Sequence, residues 1–196
     1  MATSDEMIFR RRSVETEAGH YDSVAKTLHW SILGLLCAQF VFAWTMPHIG
    51  RTVPDSILID LHVWFGVTIL VIAAIRLLWR ATHREPPPEE GIPPWQTTTA
   101  RVLHWALYGL LFAIPILGWV NASWRGMPVT LFGIVGLPKL VATRGGPWGW
   151  TGDIHSLLAD YALLALVGIH VAAALYHQFV RRDGVLRRML PDVSRW

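Results

Sequence analysis

Apolar and polar positions follow one another along this chain in long blocks, and four of the apolar blocks are long enough to cross a lipid bilayer. A membrane-spanning helix needs about 20 predominantly apolar residues. The four blocks are residues 27–44, 57–79, 102–120 and 154–180. The pattern therefore predicts an all-α integral membrane protein, folded as a four-helix bundle.

The composition excludes a soluble globular domain. Hydrophobic residues make up 53% of the 196 residues and charged residues only 16%, whereas about 25% of the residues of a soluble domain are charged. The mean hydropathy of +0.37 agrees with this assignment. We therefore expect the lipid bilayer to be the principal partner of the chain.

The basic residues predict an orientation in the membrane. Cytoplasmic segments of membrane proteins are enriched in Lys and Arg, and an N-terminus inside the cell leaves only four of the 17 basic residues outside. Those four are Arg51, Arg125, Lys139 and Arg144. Both termini are therefore expected in the cytoplasm. The net charge of +3 is expected to meet anionic lipids and not nucleic acid.

The same pattern divides the chain into a membrane domain, residues 23–183, with cytoplasmic tails at residues 1–22 and 184–196. A proline-rich linker at residues 84–94 is expected to be stiff and extended. The outer segment at residues 121–153 is unusually long for a connection, and such loops are usually functional or disordered. Its apolar LFGIVGL sequence predicts that it folds back onto the membrane surface.

Four histidines lie within or beside these apolar blocks, where ionisable side chains are costly. His29 lies near the inner end of the first span, and His62 lies near the outer end of the second. In the fourth span His155 lies in the first turn, and His170 follows about 22 Å deeper, at roughly 1.5 Å per residue. Depth therefore pairs His62 with His155 and His29 with His170.

Two imidazoles on opposite faces of an iron atom saturate it and suit electron transfer. The single cysteine, Cys37, excludes a C-x-x-C-H haem attachment, so the pairing predicts two non-covalently bound haems. Zinc fits less well, because ligands about 22 Å apart cannot share one ion. A hydrogen bond to a neighbouring helix is the alternative for each histidine taken singly.

Several motifs in order resemble the prokaryotic cytochrome b561 family, over roughly residues 21–191. They are YDSVAKTLHW, LHVWFG, AIRLLWR, LHWALYGLLFAIPILGW, WRGMPVTLFG and HSLLADYALLALVGIHVAAALYHQF. The resemblance implies two haems b, with His29 and His170 on the inner one and His62 and His155 on the outer one. The family spaces the last two histidines about fourteen residues apart, and this chain has one residue more, so either a π-bulge absorbs it or His155 is not the ligand.

The resemblance further implies a multi-pass protein of the bacterial inner membrane that passes electrons to ubiquinone or a related quinone. The donor is then superoxide, as in a superoxide:ubiquinone oxidoreductase, or a partner redox protein, for which the chain would be the cytochrome b subunit. We expect Arg76 or Arg101 to pair with a haem propionate, and His104 or His177 to bind a quinone carbonyl. A small proton-relay transporter is a distant alternative, because four helices leave little room for alternating access.

Overall fold

Four long helices make up most of the computed structural model, which describes residues 20–50, 53–89 and 91–190. They are α1 (Ser23–Thr45), α2 (Ile57–Thr82), α3 (Pro94–Arg125) and α4 (Trp148–Arg181). All four are long and apolar enough to cross a membrane. The prediction of an all-α four-helix membrane bundle is confirmed.

The helices run alternately up and down, so the bundle has two distinct ends. The terminal end holds the start of α1 and the end of the described chain, where the Trp30 Nε1–H donates to the Met189 carbonyl at 2.7 Å. The loop end holds the α1–α2 and α3–α4 connections. The predicted tails at residues 1–19 and 191–196 lie outside the described residues.

Residues 184–190 of the predicted C-terminal tail lie against the bundle. Arg188 forms an ion pair with Glu89 at 2.8 Å and donates to the Pro87 carbonyl at 2.6 Å. These contacts tie the segment to the linker between α2 and α3. The segment therefore covers the terminal end of the bundle.

The first two helices are joined at this end by a side-chain cap. Asp22 accepts a hydrogen bond from the Ala25 backbone N–H at 2.8 Å, as an N-terminal cap does. Its other oxygen accepts from Trp79 Nε1–H, at the end of α2, at 3.0 Å.

Helix α3 begins eight residues before the predicted apolar block, and the difference has a local cause. Pro94 occupies the first turn, where a missing N–H costs no hydrogen bond. The hydroxyls of Thr97 and Thr98 then donate back to the Pro94 carbonyl at 2.7 and 3.0 Å. This first part of the helix is polar, so the search for apolar blocks in the sequence did not include it.

The long connection at the loop end is shorter than predicted, because α3 continues to Arg125 and α4 begins at Trp148. It contains a small antiparallel hairpin of β1 (Thr130–Leu131) and β2 (Val135–Gly136). Trp64 Nε1–H donates to Thr130 Oγ1 at 2.9 Å and holds the hairpin on α2. Ile134, at the tip, is 85% exposed; contact with the membrane surface stays a prediction.

Helix α4 is not uniform along its length. After a 3-10 turn it is α-helical over Thr151–Leu157, π-helical over Leu158–Leu163 and α-helical again over Leu164–Tyr176. A π-helical segment holds one residue more than an α-helical segment with the same number of hydrogen-bonded turns. The segment lies between His155 and His170, where the resemblance implied one additional residue.

Two small clusters of buried side chains form the core. One joins α1, α2 and α3 through Ile32, Ile69 and Leu111, and the other joins α2, α3 and the hairpin through Val67, Ala122 and Val129. Many apolar side chains on the outer helix faces are exposed, as expected of a bundle whose solvent is lipid.

Candidate functional site

The loop end brings two of the predicted histidines together. The ring centres of His62 on α2 and His155 on α4 are 5.9 Å apart, with the ring planes at 76°. Gln39 on α1 donates to the His62 carbonyl at 3.0 Å. Helix α1 thus joins α2 and α4 at this site. The two histidines are called the loop-end pair below.

The tautomer of His155 follows from its hydrogen bond. Its Nδ1 lies 2.8 Å from the Ile114 carbonyl oxygen on α3. Because a carbonyl oxygen can only accept, Nδ1 carries the hydrogen and Nε2 keeps a free lone pair. This is the arrangement that metal-binding histidines commonly have, with the second ring nitrogen donating to a backbone carbonyl.

The terminal end brings three histidines together instead of two. The ring centres of His29 and His170 are 6.0 Å apart, and those of His104 and His170 are 5.3 Å apart. The sequence pairing by depth anticipated the first two. It assigned His104 to the quinone, without placing it beside His170. The three residues are called the terminal-end cluster below.

The terminal-end cluster lines a cavity of about 490 Å³. The side chain of Tyr108 also lines it; the residue is only 7% exposed, and its hydroxyl has no hydrogen-bond partner among the described residues. The cavity is mostly apolar on α1, α3 and α4, and residues 185–190 contribute to its wall. Its volume lies in the usual range of small-molecule and cofactor sites.

Three arginines line this cavity, Arg76, Arg80 and Arg84, and only Arg76 was predicted to bind a cofactor. Arg76 donates to the Ala25 carbonyl at 2.7 Å. Arg80 lies one helical turn further, within 6 Å of the Trp105 and Tyr108 rings, and forms an ion pair with Glu85. The spacing of four residues places Arg76 and Arg80 on one face of α2, and this signal was available in the sequence. Arg101 is exposed and lies outside the cavity lining.

His177, the other predicted quinone residue, lies outside the cavity lining. Its Nδ1 is 2.6 Å from Asp183 Oδ2, and Arg181 Nε–H also donates to that oxygen, at 3.3 Å. Burial alone would raise the pKa of Asp183, but the hydrogen bond from His177 and its further donors outweigh burial and lower it. His177 therefore has a structural partner at the turn that follows α4.

The donor sets at both ends fit haem iron. Two imidazoles bound to one metal with bonds of about 2.0 Å place their ring centres roughly 6 Å apart, and the measured spacings are 5.9 and 6.0 Å. Among the described residues no three His, Cys, Asp or Glu side chains converge on a metal site. A porphyrin supplies the remaining ligands itself, so two histidines at each end are sufficient.

Comparison with known proteins agrees with the geometry. The family model of prokaryotic cytochrome b561 matches residues 20–192. "Cytochrome b561 homolog 2" of Escherichia coli (strain K12) is 35% identical over 135 residues, which cover 69% of this chain and 71% of that protein. "Probable superoxide oxidase CybB" of Yersinia pestis is 29% identical over 174 residues, covering 87% and 96%.

A further relative is "Cytochrome b562" of Cereibacter sphaeroides, which is 29% identical over 180 residues, covering 89% of this chain and 98% of that protein. The family match extends over all four helices. The chain therefore belongs to the prokaryotic cytochrome b561 family, as a multi-pass bacterial membrane cytochrome b of electron transfer.

Proposed function

We propose that the protein carries electrons across the bacterial inner membrane through two non-covalently bound haems b. His62 and His155 hold one haem at the loop end, and His29 and His170 hold the other at the terminal end. The observation that carries the proposal is the spacing of the two ring pairs, 5.9 and 6.0 Å, at opposite ends of one bundle. The distribution of basic residues supports a cytoplasmic position for the terminal end.

Residues of the chain orient the axial ligand at one site and offer a partner for a haem propionate at the other. The bound haem supplies reversible one-electron chemistry. The Ile114 carbonyl fixes the His155 tautomer at the loop end. At the terminal end, Arg76 or Arg80 offers a guanidinium to a propionate, which this planar group binds well. Arg101 is exposed and the weaker candidate.

We infer that a quinone accepts the electrons at the terminal end. His104 and Tyr108 are one turn apart on α3 and line the cavity beside His170, and the Tyr108 hydroxyl has no partner among the described residues. Either side chain can donate a hydrogen bond to a quinone carbonyl. His177 is the weaker candidate, because Asp183 already occupies its Nδ1.

Superoxide is the first candidate for the electron donor, since one relative bears the name probable superoxide oxidase. Two superoxide anions would lose one electron each to become oxygen, and one quinone would take both electrons and two protons to become a quinol. Three cations lie at the loop end: Arg125 at the end of α3, and Lys139 and Arg144 in the connection between α3 and α4. Their charge attracts a small anion.

A partner redox protein is the second candidate, with the chain as the cytochrome b subunit that passes its electrons to quinone. The hairpin favours this role, because its tip exposes Phe132, Ile134 and Val135 on the side where the donor enters. Exposed apolar patches of this kind commonly mark protein interfaces.

Absorption spectroscopy of the purified protein tests the main proposal. We expect a low-spin b-type spectrum and two haems per chain by pyridine haemochrome assay. A colourless protein, or one haem per chain after reconstitution with excess haem, contradicts the proposal.

Rapid mixing of superoxide with the oxidised protein in membranes separates the two donors. The oxidase predicts fast haem reduction that slows with rising salt and with Lys139→Gln, because screening and loss of charge weaken the attraction. Arg101→Gln, at the other end of the bundle, is the matched control and leaves the rate unchanged. Absence of haem reduction contradicts the oxidase and favours the partner protein.

A further inference from the structure

Gly118 on α3 lies directly against the imidazole of His155. A Cβ atom at residue 118 would lie 3.0 Å from both Nδ1 and Cε1 of that ring, closer than carbon atoms normally approach. Gly109 on the same helix and Gly168 on α4 have open space at the corresponding position. The absence of a side chain at residue 118 therefore makes room for the ring.

The same stretch of α3 also binds the ring. Ile114 precedes Gly118 by four residues, so the two residues share one face of the helix. The Ile114 carbonyl lies 2.8 Å from Nδ1 of His155. One turn of backbone thus offers an acceptor for the ring N–H and a gap for the ring itself, and together these are called the imidazole slot.

We propose that the imidazole slot is a positioning site for the loop-end haem ligand, with Gly118 as its positioning residue. The slot fixes the plane of the His155 ring and leaves Nε2 for the iron. The hydrogen bond to Nδ1–H makes the imidazole a more basic ligand. This inference rests on the proposed role of His155 as a haem ligand, and it assigns a role to α3, which contributes no ligand to that haem.

The first test compares Gly118→Ala with Gly109→Ala as the matched control. Haem content, the low-spin electron paramagnetic resonance signals and redox titration are measured for each. His62→Ala identifies which signal belongs to the loop-end haem. We expect Gly118→Ala to shift or remove that signal and lower loop-end occupancy at least twofold, while the terminal-end signal stays. Gly109→Ala should resemble the wild type, and an unchanged loop-end signal in Gly118→Ala overturns the proposal.

The second test probes the hydrogen bond directly in a His155→Gly variant supplied with external ligands. 4-Methylimidazole retains an N–H, whereas 1-methylimidazole has the same size but no N–H. Because one hydrogen bond is worth about 1 kcal/mol, we expect roughly fivefold tighter binding of 4-methylimidazole at the loop-end haem. Adding Gly118→Ala should weaken both ligands.

Equal affinities of the two methylimidazoles, with or without Gly118→Ala, contradict the imidazole slot. A His155→Gly variant that keeps two low-spin haems without any added ligand contradicts instead the proposed ligand assignment. The two failures are therefore distinguishable. The second test also holds if Gly118→Ala alone fails to assemble.

Discussion

The two ends of the bundle bring histidines together in different ways. At the loop end, two imidazoles face each other, and one of them is held by the backbone of a third helix. At the terminal end, the terminal-end cluster and three arginines line a cavity of about 490 Å³. Both ends therefore contain a histidine pair. At the loop end the pair is fixed by a neighbouring helix, and at the terminal end it lies beside a cavity that can hold a further molecule.

The difference teaches that the two ends are suited to different partners. A small anion or a protein surface would need no cavity at the loop end, because electrons can pass to a haem through its edge without binding of the donor to the iron. The proposed quinone would have to be held beside the proposed terminal-end haem, and a cavity with hydrogen-bond donors is suited to it. The asymmetry is consistent with electron flow from the loop end to the terminal end.

Replacement of single histidines should have the largest effect, because each replacement should empty one end of the bundle and leave the other end occupied. His62→Ala or His155→Ala should lose the loop-end haem and keep the other, and His29→Ala or His170→Ala should do the reverse. The reason is that a haem with one axial ligand is bound much more weakly. Haem-to-protein ratios measure the result.

His104→Ala is the internal control of that series, because it should keep both haems. If His104→Ala loses the terminal-end haem while His29→Ala keeps it, the ligand pair at that end is His104 and His170. The ring spacing of 5.3 Å makes this a real alternative outcome.

Quinone reduction should depend on the side chains that line the terminal-end cavity. We expect His104→Ala to lower the rate of quinone reduction about tenfold or more, since loss of a positioned hydrogen-bond donor typically costs at least this much. His177→Ala is the matched control and should retain most of the wild-type rate. Stopped-flow reduction of a quinone analogue, at equal haem content, measures both. Equal rates in all three proteins would remove His104 from the quinone site.

Replacement of Arg76 should change the reduction potential of the terminal-end haem and not that of the loop-end haem. Arg76→Gln removes a positive charge that stabilises the reduced haem, so the terminal-end potential should fall by about 50 mV, which is roughly 1 kcal/mol for one electron. The loop-end potential should not change. Redox titration measures both, with exposed Arg101→Gln as the control. A larger shift in Arg101→Gln than in Arg76→Gln would reverse the assignment.

The smallest effect is expected from pH at the turn after α4. The pKa of Asp183 is lowered from its usual 3.8 in the folded protein, because hydrogen bonds from His177 and others outweigh burial. A lowered carboxyl pKa contributes stability above the unfolded value, and this contribution is lost as pH falls through the folded value. Asp183→Asn should therefore lower the melting temperature by about 3 °C at pH 6. The difference in melting temperature between Asp183→Asn and the wild type should shrink below about pH 4. A difference that stays constant with pH would show that the ionised Asp183 carboxylate does not stabilise the fold.

Much of this architecture could be predicted from the sequence, because it depends on length and depth. The four spans follow from apolar length, and the pairing of His62 with His155 follows from a rise of about 1.5 Å per residue. The ligand role of these residues stays a prediction. Rotation of each helix about its axis was harder to predict, since it depends on packing between helices. For that reason the sequence did not place His104 beside His170, and it did not reveal the imidazole slot.

The π-helical segment Leu158–Leu163 has a consequence for how such a protein can vary. In a continuous α-helix, one inserted residue turns everything beyond it by about 100° and moves it by about 1.5 Å. Here a π-helical segment lies between the two α-helical parts of α4, and such a segment can take up one residue without turning the helix on either side of it. We therefore expect this bundle to tolerate the gain or loss of one codon between the two proposed haem sites, while each part of the helix still meets its own neighbours.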